Sequence, residues 1–138
     1  IALHRPFYSA NSANGAVVHL HSTHATALSC RADIAAADAI RPVTPYVVMR
    51  LGTVPVLRYA RPGSDALEPR LRDLAATHAG VLLGNHGPIV AGRTLTAAVS
   101  AIEELEEAAK IAHLLRYLPM RYLTEAEIAE LHHHFGGR

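Results

Sequence analysis

The 138-residue chain has no tryptophan, two phenylalanines, five tyrosines and a single cysteine. One thiol excludes an internal disulfide and suits a reducing compartment such as the cytoplasm. Cys30 reads as a small packing residue rather than a nucleophile. Aromatic residues are sparse, none interleaves with a basic cluster, and the arginines are scattered. That excludes the electrostatic footprint of a nucleic-acid binder. The formal net charge is only +1. No apolar run approaches the roughly 18 residues of a membrane span, and no leader-like segment is visible. Half of the residues are hydrophobic and 18% are charged, the composition of a globular chain. Residues 1–138 therefore read as one domain, long enough to bury a core.

Histidine is what the chain has in excess, with ten residues. The run Ala16-Val17-Val18-His19-Leu20-His21-Ser22 reads as a buried strand ending in His-x-His. Side chains alternate along a strand, so His19 and His21 share a face and Leu20 points away. Downstream, Leu82-Leu83-Gly84-Asn85-His86-Gly87 brings a second apolar run to a stop at a histidine. An isolated His-x-His is a weak signal, since most such pairs are packing or surface residues. Three imidazoles from two strand ends, however, could converge on one divalent ion. Open positions for water or substrate would remain, as in a catalytic zinc site. Polarisation of a carbonyl is the chemistry such a site offers.

The remaining pattern is that of alternating helices and strands. Leu3, Phe7 and Tyr8 make the apolar face of a short helix or turn in which Pro6 is tolerable only in the first turn. Ser22 or Thr23 caps a short helix over 25–30, with His24 at the cap as a supporting or surface residue. Residues 31–41 are a loop or a weak helix. Pro42 to Tyr46 is extended, because each proline disfavours helix at its predecessor. Val47-Val48-Met49 and Val54-Pro55-Val56-Leu57 read as strands, the second at an edge because of Pro55. Pro62-Gly63 turns the chain. Asp65 with Glu68 starts a helix bearing Leu67, Leu71, Leu74 and Ala75, which Gly80 ends. Strands over 81–84 and 88–91 flank Asn85-His86-Gly87.

Thr94 or Thr96 then caps a long helix over 95–118. Its expected core stripe is Leu95, Val99, Ile102, Leu105, Ala109, Ala112 and Leu115. Glu103, Glu104 and Glu107 read as its solvated face, and Glu106 pairs with Lys110 at i,i+4. Thr124 and Glu127 form a capping box for a last helix, and His132-His133-His134 reads as a polar tail. The expected fold is α/β: a three-layer sandwich with a central mixed, largely antiparallel sheet flanked by helices.

The motifs Ala-Val-Val-His-Leu-His-Ser-Thr-His-Ala-Thr-Ala and Leu-Leu-Gly-Asn-His-Gly-Pro-Ile-Val-Ala-Gly, followed by Glu106-Glu107-Ala108-Ala109-Lys110, resemble the class II aldolase/adducin family. The resemblance implies that His19, His21 and His86 hold Zn2+, with another divalent metal as the alternative. It also implies a cyclic homotetramer, with residues 34–40 and the C-terminal helix as contact surfaces. In that family a glutamate acts as acid/base shortly before a His-x-x-x-Tyr pair, which here is His4 and Tyr8. The expectation is that this glutamate precedes Ile1 and that the chain is N-terminally incomplete. No catalytic carboxylate is identified within it.

Segments 42–52, 61–65 and 118–124 are most similar to the 3-oxo-tetronate 4-phosphate decarboxylase branch. That branch forms dihydroxyacetone phosphate and carbon dioxide through a metal-stabilised enediolate. The alternative is a fuculose-phosphate-type aldolase cleaving a ketose phosphate. Sugar-phosphate epimerases and methylthioribulose-phosphate dehydratases come third. A different class of reading is an adducin-like structural or interaction protein without metal chemistry.

Overall fold

The computed structural model of the protein describes residues 3–61, 63–64 and 66–135. The expected roles of Pro62 in a turn and Asp65 at a helix cap lie outside these residues. Four strands form one sheet in the order β1 (Ala16–His19), β4 (Gly87–Gly92), β3 (Gly80–Leu83), β2 (Val56–Leu57). The first two pairings are antiparallel and β2–β3 is parallel, so the sheet is mixed and largely antiparallel.

The strand alternation sorts side chains between two faces. Val18, Leu82 and Val90 pack with α2 (Thr23–Ser29), α3 (Pro45–Arg50) and α5 (Leu95–Leu115). Val17, Val81, Leu83, Ile89 and Ala91 pack with α1 (Arg5–Ala10) and α4 (Leu67–Ala75). The result is the expected three-layer α/β sandwich. A last helix, α6 (Glu125–Phe135), contributes no buried residue.

Several local expectations hold for the reasons given. Pro6 lies in the first turn of α1, where its missing N–H costs nothing, and Phe7 is fully buried. β2 lies at one edge of the sheet, as expected, but the strand covers only Val56–Leu57, with Val54 and Pro55 preceding it. The capping box opens α6: the Thr124 N–H donates to Glu127 Oε2 at 2.8 Å and the Glu127 N–H to Thr124 Oγ1 at 3.3 Å. Residues 31–41 form no helix.

Other expectations are overturned. Val47-Val48-Met49 is helical, not a strand. Thr44 is extended, Pro45 then sets φ for the first turn, and Val47, Val48 and Leu51 bury one side. Gly80 does not end α4, which stops at Ala75; it opens β3. The stripe on α5 is rotated. Leu95 and Val99 are exposed, whereas Ala98, Ala101 and Ala108 are buried beside Ile102 and Leu105. The helix lies so close to β4 that a β-carbon on Gly92 would sit 2.6 Å from the Ala98 nitrogen, so only small side chains fit between them. Helical spacing gave the period correctly, but not which phase the close approach requires.

Candidate metal centre

His19 is the last residue of β1, two positions beyond Val17 and on its face of the sheet. Its Nδ1 lies 2.8 Å from the Pro88 carbonyl, which can only accept, so Nδ1 carries the proton and Nε2 keeps a free lone pair. His21 lies just past the strand end rather than within the expected run to Ser22. His86 lies in the turn between β3 and β4, where its N–H donates to the Leu83 carbonyl at 3.1 Å. Asn85 has φ +54° and Gly87 φ +153°, so the turn uses two residues in backbone regions unfavourable to most side chains. At Gly87 an added β-carbon would also sit 2.6 Å from the Leu20 carbonyl. The glycine thus lets the hairpin press against the segment that carries His21.

This brings the three expected rings together. Their centroids are 4.9–5.0 Å apart, and His21 Nε2 lies 3.0 Å from His86 Nε2. One ligand nitrogen from each ring falls within 4.8 Å of the others. Zinc–nitrogen bonds of about 2.0–2.1 Å at a tetrahedral angle separate donors by roughly 3.3 Å. Three imidazoles at this spacing, with the His19 tautomer fixed by a carbonyl, fit a divalent ion. Burial lowers the pKa of His19, opposed by Pro88 and reinforced by the neighbouring rings; burial and His21 lower that of His86. Both shifts favour the neutral, ligating form. Among the described residues no carboxylate joins the three rings.

Helix α2 links the two halves of this centre. It starts two residues after His21. From its middle, the Thr26 hydroxyl donates to the His86 carbonyl at 3.3 Å and Ser29 Oγ accepts the His86 N–H at 3.2 Å. The Ser29 carbonyl accepts the Asn85 N–H at 3.1 Å.

Sequence reasoning missed Glu106. It does not pair with Lys110, whose ammonium lies 3.6 Å from Glu107 instead. Glu106 Oε1 accepts the His24 N–H at 2.9 Å and the His24 Nδ1–H at 2.8 Å, and Oε2 accepts the Ala25 N–H at 2.8 Å. Burial pushes this carboxyl up, but the His24 and Ala25 amides, with Ser22 and the His24 ring, bring it down to about 2. The Ser22 hydroxyl is buried without a hydrogen-bond partner of good geometry, so its effect on Glu106 is through proximity. The available signal was position: Glu106 stands one turn from both Ile102 and Ala109, at the edge of the buried stripe.

The remaining histidines lie elsewhere. His24 supports the first turn of α2, as expected of a residue that is not a ligand. His132, His133 and His134 are the last turn of α6 rather than a tail, with cation-capable side chains suited to a helix C-terminus. Cys30 is exposed at the C-cap of α2 and does not pack in the core. No described helix is long and apolar enough to cross a membrane.

Residues 1–113 match the class II aldolase and adducin N-terminal domain. The chain belongs to the class II aldolase and adducin family. Within it, the chain is 50% identical over 131 residues to the 3-oxo-tetronate 4-phosphate decarboxylase of Escherichia coli K12, covering 95% of this chain and 62% of that protein. It is 28% identical over 116 residues to the L-fuculose phosphate aldolase of Methanococcus maripaludis, covering 84% and 61%. The crystal structure of Escherichia coli YgbL, described as a candidate aldolase/epimerase/decarboxylase, superposes with a TM-score of 0.92 at 50% identity, over 94% of this chain and 63% of that one. The chain thus spans about three fifths of the length of its class II aldolase relatives. Members of this family named as aldolases are metal-dependent, and the histidine cluster is where this chain could meet that requirement.

Proposed function

We propose that this chain carries the metal centre of a lyase that decarboxylates 3-oxo-tetronate 4-phosphate to dihydroxyacetone phosphate and carbon dioxide. The convergence of His19, His21 and His86 is the observation that carries the metal chemistry, and the 50% identity to a named decarboxylase favours this substrate. Zinc is the metal this donor set suits best. When bound, the ion supplies Lewis-acid stabilisation of charge developing on the substrate's keto oxygen.

The chain's own residues prepare for that. The Pro88 carbonyl holds the proton of His19 on Nδ1 and turns Nε2 inward. The hairpin at Gly87 brings His86 against His21. Burial keeps His19 and His86 unprotonated near neutrality. Proton delivery to carbon requires a further group, because a ligating imidazole nitrogen carries no proton and the His19 Nδ1–H is engaged by the Pro88 carbonyl. A glutamate preceding Ile1 fills that role in this reading.

Residues 1–138 act as one domain of a cytoplasmic homotetramer. The exposed Leu114, Tyr117 and Leu118 after the buried stretch of α5 support an apolar contact surface in addition to residues 34–40 and α6. A fuculose-phosphate-type aldolase is the second reading, favoured by the 28% identical relative, since the same three ligands serve both cleavages. The adducin-like reading does not account for three retained, converging imidazoles.

The deciding experiment incubates the full-length protein with 3-oxo-tetronate 4-phosphate and, separately, with fuculose 1-phosphate, measuring carbon dioxide, aldehyde and bound metal. Metal-dependent carbon dioxide release from the first alone supports the decarboxylase. Aldehyde release from the second supports the aldolase. A protein that binds no metal returns the structural reading.

A further inference from the structure

Helix α2 lacks the usual groups that satisfy a helix start. Its N-cap, Ser22, makes no side-chain cap hydrogen bond, and its first turn contains no acidic residue. The free amides of His24 and Ala25 are met instead by one carboxylate from α5, 82 and 81 positions away. Both oxygens of Glu106 are used, and Oε1 also takes the His24 ring proton. Two helical turns further along α5, His113 Nε2 donates to the His24 carbonyl at 3.1 Å. Residue 24 is therefore held through its N–H, its ring and its carbonyl, always from α5.

What α2 holds in turn gives this clamp its meaning. Its start fixes the direction in which the chain leaves His21. Through Thr26 and Ser29 it grips the backbone of Asn85 and His86. Any rotation or slide of α2 therefore changes the distance between His21 Nε2 and His86 Nε2. We propose that Glu106 is a positioning residue for the three-histidine centre: it locks α2, and α2 sets the relative placement of His21 and His86. Glu106 touches neither ring; on the same helix Glu103 is exposed, Glu107 meets Lys110, and Glu104 is partly buried under the influence of the Arg50 charge.

This inference rests on the metal-binding reading above. The test compares Glu106→Gln with wild type in the full-length holo-protein. A competing chromophoric chelator measures zinc affinity, and the visible absorption of the cobalt-substituted protein reports ligand geometry. Glutamine keeps the size of the side chain but turns an amide toward backbone N–H groups that need an acceptor. Zinc affinity should fall by about tenfold or more, within the range seen when groups supporting metal ligands are lost. The cobalt bands should shift or broaden. Glu103→Gln, the same charge change on the exposed side of α5, should leave both readouts at wild-type values.

His113→Leu, which has no donor for the His24 carbonyl, covers the case in which Glu106→Gln does not fold. It loosens the other side of residue 24 without removing the carboxylate, and should weaken zinc in the same direction by a smaller factor. A folded Glu106→Gln with a lowered melting temperature but unchanged zinc affinity and cobalt spectrum would make Glu106 a fold-stabilising group only. If Glu106→Gln does not fold, unchanged zinc binding in His113→Leu overturns the proposal. Failure of the wild-type protein to bind zinc or cobalt is a separate result. It removes the metal-binding reading itself.

Discussion

The Nε2 atoms of His21 and His86 lie 3.0 Å apart although 65 positions separate them in the chain. Such a separation suits a shared proton or a shared metal ion, and a third ring with its lone pair free stands beside both. Three expectations follow from the burial of that cluster and from the contacts that assemble it, and a fourth serves as a control.

Metal retention and the stability of the metal-free protein should both fall in mild acid. The pKa values of His19 and His86 are lowered from the ordinary histidine value of about 6.5. As pH drops through 6.5 the unfolded chain therefore takes up protons before the folded one, and folding loses free energy. The contribution is complete above about pH 6.5 and declines below it. Urea denaturation of chelator-treated protein at pH 7.5 and 5.5 should give a lower midpoint at 5.5. Substituting His19 with glutamine should shrink the difference.

A second loss should appear at lower pH and trace to Glu106. Its folded pKa of about 2 lies below its starting value of 4.5, so its contribution is complete above about pH 4.5 and disappears as pH falls toward 2. Its side chain is 22% exposed, and the contribution at neutral pH is about 2–3 kcal/mol. Acid titration followed by circular dichroism should show the Glu106→Gln protein less stable at pH 7. Its gap from wild type should close by about pH 2.

Gly87→Ala should damage the centre without touching a ring. The new methyl would meet the Leu20 carbonyl at a separation no β-carbon tolerates, at a φ that disfavours it. The cost is about 1–3 kcal/mol if the backbone strain is retained. Relief would move the hairpin away from residues 20–21 and open the gap between His86 and His21. A lower melting temperature with reduced zinc content, measured by mass spectrometry of the dialysed protein, is the expected outcome.

Thr124→Ala should show the opposite profile. Loss of the capping box costs about 1 kcal/mol at the start of α6 and frays a helix with no buried residue. Amide exchange should rise over 125–135 while zinc affinity stays unchanged.

The parts legible in the sequence were those that depend on local pattern. The three histidines announced themselves at strand ends, Gly87 as a turn residue, and Thr124 with Glu127 as a cap. Val47 to Met49 misled because two β-branched valines follow a proline-rich stretch, whereas Pro45 at a first helical position and burial by tertiary contacts decided for helix. The stripe of α5 slipped because alanine carries little hydrophobic signal, yet the close approach at Gly92 demands it. Glu106 was illegible for a deeper reason. Its partners are backbone amides more than 80 positions away, and no side-chain pattern records where a free amide will lie.

The frame and the ligands of this centre are separate sets of atoms. Thr26, Ser29, Glu106 and His113 hold the backbone, while the three imidazole Nε2 atoms are left to face inward. A site built in this way tolerates exchange of its donors. Replacing His21 with cysteine or aspartate changes the softness and charge of the cage while the scaffold that aims it stays in place. Selection over long times, or a designer, can therefore retune the ion, and with it the reaction, by single substitutions at exposed or half-buried positions that the core does not feel.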